Sequence, residues 1–177
     1  DKEANTILAE AKSEASALTG AADSKAREIE AEAAGRVTAA KGDFSAASRE
    51  TSTITRNIND LSKARDDAQT EKDKTFFLRF GKRGELDKQI KGLKKDIKEA
   101  EKKLDKAVKV QDKAQQGLDK AEGYAAKQGE VAAKARAEGQ AAADKVTAAA
   151  QKKADSAVGA AQKSADSVVK AAEGKAK

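Results

Sequence analysis

LDKQIKGLKKDIKEAEKKLDKA, residues 86–107, places its large apolar side chains at one kind of spacing only. Leu86, Ile90, Leu93, Ile97, Ala100, Leu104 and Ala107 stand alternately four and three residues apart. Such steps bring side chains to one side of an α-helix, and strict alternation narrows that side to a heptad stripe. The residues between are mostly Lys, Asp, Glu and Gln, as on a face turned to water. Asp87–Lys91 and Asp105–Lys109 add acid-first pairs at i,i+4, each contributing a few tenths of a kcal/mol.

The stripe continues in both directions. Past Gln111, its one polar interruption, it takes in Ala114, Leu118, Ala121 and Ala125. In the first half of the chain a second stripe runs through Leu8, Ala11, Ala15, Leu18, Ala22, Ala26, Ile29, Ala33, Val37, Ala40, Phe44, Ala47, Thr51, Ile54, Ile58 and Leu61, with only Thr51 polar. Two helices of about 70 to 90 residues are predicted, over about 3–73 and 85–172, with a turn over 74–84. At 1.5 Å per residue each reaches on the order of 100 Å. A helix with one narrow apolar stripe is not stable alone, and the nearest partner is the other helix. The predicted fold is all-α: one elongated helical domain over 1–177, a bundle built on a long antiparallel two-helix coiled-coil hairpin.

The last third adds a repeat. ADKVTAAAQK from Ala143, ADSAVGAAQK from Ala154 and ADSVVKAAEG from Ala165 recur every eleven residues, and Gln140, Gln151 and Gln162 keep the same interval. Ala22, Ala33 and Phe44 share it in the first helix, as do Ala26 and Val37. Eleven residues in three turns favours straight or slightly right-handed packing. In an antiparallel hairpin these stretches lie side by side, and facing alanines let two backbones come close. Gly117, Gly123, Gly129 and Gly139 each cost about 1 kcal/mol relative to Ala and mark a possible break at 117–129; Gly42-Asp43 is the comparable weak point of the first helix. A break at either would give a three- or four-helix bundle.

Composition agrees with long helices. The 177 residues include 41 Ala and no Pro, and 37% are charged. Large apolar side chains are too sparse to fill a two-layer core. Cysteine and histidine are both absent, which removes disulfides, thiolate metal sites and the commonest general base. There is no phosphate-loop pattern and no N-x-[ST] sequon, and the carboxylates lie on solvated faces with no pocket to work in. No catalytic, cofactor-binding or metal site, and no small-molecule substrate, is predicted. Asp1 stands where an initiator Met would, so the chain reads as a mature form or an excised piece, without signal or anchor segments.

The net charge of +6 is concentrated: residues 72–103 hold 12 Lys/Arg against 6 Asp/Glu, leaving 24 of each sign elsewhere. The run KGLKKDIKEAEKKLDK is interleaved with Asp96, Glu99 and Glu101, which argues for a solvated coiled-coil face and against nucleic acid. Three of the four phenylalanines fall in TFFLRFGKRG, residues 75–84, where Gly81 and Gly84 read as turn and helix-stop residues. The first reading of this run is a hydrophobic plug at the open end of a thin core. The functional reading is an exposed tip, Phe76, Phe77, Phe80, Arg79, Lys82 and Arg83, that touches an anionic membrane or an acidic partner. Tyr124, beside Gly123, reads as local packing at a bend.

A proline-free, cysteine-free, Ala- and charge-rich helical chain of this layout resembles the alanine-rich stage-specific surface proteins of African trypanosomes, above all the glutamic acid/alanine-rich proteins of the insect-stage coat. The resemblance spans the whole chain through composition and layout, not through a motif. It departs in having 15 Asp to 15 Glu and 28 Lys. It implies a bundle similar in core to the variant surface glycoproteins, a glycoprotein coat held at the cell surface by a C-terminal lipid (GPI) anchor, and lateral self-association between copies. Residues 76–84 then face outward. Two other classes compete. The Ala/Lys/Asp repeats resemble late embryogenesis abundant proteins, against which the Leu/Ile stripe at 86–104 counts. The aromatic run suits a receptor-binding or membrane-contacting hairpin of a toxin.

Overall fold

The structure, a computed structural model, describes residues 2–75 and 80–175, with side chains over 2–75 and 81–173. Helix α1 runs Lys2–Lys74 and α2 runs Phe80–Lys175. The two pack against each other as an all-α helical hairpin. Residue numbers rise along one helix as they fall along the other. Ala68 meets Leu86 and Ile90, Lys72 meets Asp87, Lys41 meets Glu122, and Arg136 meets Asp23 and Glu30.

Every residue of both predicted stripes is buried or half-buried. The line extends along α1 through Arg65, Ala68 and Lys72, and along α2 through Ala132, Val146 and Ala154. Several Thr and two Ser hydroxyls within the helices donate to main-chain carbonyls three or four residues back. Thr51 Oγ1, for example, donates to the carbonyl of Ala47 at 3.0 Å and Thr147 Oγ1 to that of Ala143 at 2.9 Å.

The helix ends differ from expectation. The amide of Thr75 is shared between the carbonyls of Glu71 and Lys72, and its hydroxyl donates to Glu71 at 2.7 Å, closing α1 beside Lys72 and Lys74, whose charges suit a helix C-terminus. Helix α2 begins at Phe80, so Gly81 and Gly84 are not stops but lie in its first turns, and of the turn expected over 74–84 the residues from Phe80 on are helical. Basic residues are poor at a helix N-terminus, but Lys82 is held by Glu71 of α1 at 2.6 Å. The possible break at 117–129 is not realised, and α2 is continuous there. Gly117, Gly123 and Gly129 all sit on its exposed side, where they cost propensity but remove nothing from the stripe.

Packing divides the chain into two compact units, each containing a part of both helices. The first combines the residues up to Ala34 with those from Ala125 onward; the second is Gly35–Tyr124. In the second the buried side chains are Leu86, Ile90 and Ile97 with Ala47, Ala68, Ala100 and Ala107. In the first every buried side chain is an alanine: Ala4, Ala11, Ala26, Ala33, Ala132, Ala143, Ala150 and Ala154. No polar or charged side chain is buried in either unit among the described residues.

Candidate functional surfaces

A cationic clamp joins the two helices of the alanine unit. Arg136, the only arginine of α2 after Arg83, reaches across to α1. Its Nη1 and Nη2 donate to the two carboxylate oxygens of Glu30 at 2.6 and 3.0 Å, and its Nε donates to Asp23 at 3.2 Å. A planar guanidinium matches a carboxylate in this two-point manner, which an ammonium cannot do. The hydrogen bonds from Arg136 hold the Glu30 carboxyl below its ordinary range, and the same pair makes the guanidinium harder to deprotonate. Asp23 and Glu30 stand seven residues apart, two turns along one edge of α1.

In the other unit the cross-helix pairs are Lys72 with Asp87, Lys82 with Glu71, and Lys41 with Glu122 at 4.0 Å. The hydrogen bond from Lys82 lowers the Glu71 carboxyl from its ordinary value. The guanidinium of Arg36 lies over the ring of Tyr124, 4.3 Å from its centroid. Tyr124 is therefore a cross-helix contact in a continuous helix and not packing at a bend. Along the helices Gln69, Gln115, Gln140, Gln151 and Gln162 each donate to the Asp four residues on. The eleven-residue interval of the last three thus marks a repeated side-chain staple on the helix surface.

Among the described residues, three open grooves stand out along the line between the helices. One, about 400 Å³, is lined by Ser48, Thr51, Ser52, Thr55, Arg56, Asn59 and Gln111, so the polar interruptions of the two stripes, Thr51 and Gln111, face the same space. The other two belong to the alanine unit. One, about 340 Å³, lies between Lys12, Ser16 and Thr19 on α1 and Gln140, Asp144 and Thr147 on α2; another, about 310 Å³, lies between Glu10, Glu14 and Lys153. The hydroxyls of Thr19 and Thr147 are committed to main-chain carbonyls, and Gln140 to Asp144. None of these grooves pairs a nucleophile with a base. Among the described residues no three Asp or Glu converge as a metal site, and no helix is long and apolar enough to cross a membrane.

Of the expected tip, Lys82 and Arg83 are exposed on the first turn of α2. Phe80 is the first residue of that helix, while Phe76, Phe77 and Arg79 lie outside the described residues. The Arg136 clamp and the Arg36–Tyr124 contact escaped the sequence reading because both depend on register. The usable signal was an isolated arginine on one helix and two acids seven apart on the other. Comparison with protein-family models, curated proteins and solved structures finds no match to this chain.

Proposed function

We propose that this chain is a non-enzymatic structural protein that works through the outer faces of its helices, as a component of a cell-surface coat in which copies pack side by side. The observation that supports this reading is the use of the apolar stripe. From Ala4 to Ala154 it is consumed between the two helices; among the described residues no charged side chain is buried, and most stand on solvated faces, of mixed sign outside the lysine-rich stretch of α2. Mixed charge on outer faces suits lateral packing between copies and suits neither a pocket nor a reaction centre. Coat assembly, cell-surface location and a lipid attachment extend from the resemblance to trypanosome alanine-rich surface proteins. Antibody raised to the chain is expected to label unpermeabilised source cells and to lose its target after phosphatidylinositol-specific phospholipase treatment. Labelling only after permeabilisation overturns the coat assignment.

A second reading is the membrane- or receptor-contacting hairpin of a toxin. It draws support from Lys82 and Arg83, exposed where α2 begins beside the phenylalanine run. Vesicle binding that is lost in a Phe76→Ser/Phe77→Ser variant favours this second reading over the coat.

A further inference from the structure

With Leu86–Ala125 fixed as the side of α2 that meets α1, the other positions of this stretch can be placed around the helix. Lys88, Lys95, Lys102 and Lys109 recur every seven residues directly opposite the stripe. Lys91 and Lys98 flank that line on one side, and Lys106 and Lys113 on the other. All eight are exposed. Over residues 86–113 the outer side therefore carries eight lysines against Glu99, Asp105 and Asp112. The edges next to α1 carry Lys94 and Lys103 against Asp87, Asp96 and Glu101. The acids that interleave this run in sequence are thus partly sorted away from the lysines in space. Asp87 is engaged by Lys72 of α1, and Glu99 reaches only to Lys95 at 4.0 Å. The basic excess of this stretch lies wholly on its outer side.

The row covers 25 residue steps, about 38 Å of helix, or roughly one lysine per 5 Å. It contains no Arg, Asn, Gln, Ser or aromatic residue. Readers of nucleic acid use planar forks, amides and rings against phosphates and bases, and none stands on this face. Ammonium groups act as point charges and suit a diffuse anionic plane. We propose that the outer face of α2 from Lys88 to Lys113 is a docking surface for an anionic lipid bilayer, held by charge without insertion. This goes beyond the coat reading and does not rest on it.

The test uses sedimentation with vesicles of phosphatidylcholine containing about 30% phosphatidylserine, at about 0.1 M salt, where the Debye length is about 10 Å. Lys88→Gln/Lys95→Gln/Lys102→Gln/Lys109→Gln is compared with Lys134→Gln/Lys145→Gln/Lys152→Gln/Lys163→Gln, which makes the same change in net charge elsewhere on α2. All eight positions are exposed, and unchanged helicity by circular dichroism checks each fold. The wild type is expected to bind these vesicles and not pure phosphatidylcholine. The row variant is expected to lose roughly fivefold per lysine, several hundredfold in all, and the control variant only a small fraction of that. A second row variant, at Lys91, Lys98, Lys106 and Lys113, is expected to show the same loss. Equal loss in row and control variants, or no loss in either row variant, overturns the proposal. So does tighter, row-dependent binding of an oligonucleotide at the same salt, which would make the face a nucleic-acid surface.

Discussion

Gly139 is where the two helices of the alanine unit leave no room for a side chain. At Gly20, Gly35, Gly42, Gly81, Gly84, Gly92, Gly117, Gly123, Gly129 and Gly159 an added Cβ meets nothing within 4 Å. At Gly139 it overlaps the methyl of Ala22 and comes within 3.4 Å of the Leu18 carbonyl oxygen and 3.8 Å of the Ala22 Cα. The methyl of Ala22 has no rotamer to move into, so the clash is relieved only by parting the helices. Gly129→Ala removes a propensity penalty and is expected to stabilise by about 0.5–1 kcal/mol. Gly139→Ala gains the same propensity but overpacks the contact, at a typical cost of about 1–3 kcal/mol. The two variants therefore separate by about 1–3 kcal/mol, or roughly 3–10 °C in melting temperature for a chain of this length. Thermal melts by circular dichroism read that gap. Ala22→Gly, costly in itself, is expected to rescue Gly139→Ala by reopening the space. A Gly139→Ala variant that melts as high as Gly129→Ala refutes the close approach of Leu18–Ala22 to Gly139.

Replacing the two polar positions of the stripe, Thr51→Val with Gln111→Leu, is expected to raise stability by about 1 kcal/mol or more, since polar groups at such positions fix register at a cost in burial; a lowered midpoint in urea counts against this. Arg136→Gln is expected to lower the melting temperature at pH 7. Because Arg136 depresses the Glu30 carboxyl in the folded state, its stabilisation is complete above the ordinary value near 4.5 and is lost as pH falls through the depressed one. The gap between wild type and variant thus closes in acid, and a gap constant from pH 7 to pH 3 is the contrary result. Amide exchange is expected to be faster in residues 2–34 and 125–154 than in 44–68 and 86–107, because the first set buries only alanine and the second buries Leu86, Ile90 and Ile97; equal protection in both is the result against it.

The stripe was legible because a three-four spacing repeated over this many turns has one geometric meaning, and each of its residues, from Leu8 to Leu61 and from Leu86 to Ala125, ends buried or half-buried. Glycine was the less legible residue. Gly81 and Gly84 have the chemistry of stops, yet the chain around them, KRGELDK, is otherwise helix-forming, and Lys82 gains a partner in Glu71 when it coils. The glycines at 117, 123 and 129 occupy exposed positions, where a missing Cβ weakens a helix without interrupting what it packs against. Which glycine mattered for packing depended on what stands opposite, and that is a property of register. The same holds for Arg136 and for the lysine row: composition shows that charge is abundant, and only the facing of each turn shows where it is sorted.

The change of period along the chain coincides with the division into units. In Gly35–Tyr124 the contact line steps by alternate threes and fours from Phe44 to Lys72 and from Leu86 to Ala121. In the other unit it repeats by elevens, through Ala11, Ala22 and Ala33 on α1 and Ala132, Ala143 and Ala154 on α2. Seven-residue repeats underwind a helix pair to the left, and eleven-residue repeats leave it straight or turn it slightly to the right. Side-chain size follows the period. The heptad unit buries Leu and Ile, each contributing about 1.5–3 kcal/mol, and has no need of close backbones. The alanine unit has no such burial and gains instead from dispersion between backbones brought near, which is why Gly139, the one intolerant glycine among those described, lies there. A bulky residue at Ala26 or Ala132, both fully buried, would undo that close approach, while the same residue class at Ile90 is what the heptad unit is built on. One hairpin therefore contains two different solutions to holding two helices together, and the lysine row belongs to the unit whose large side chains fix the facing of each turn.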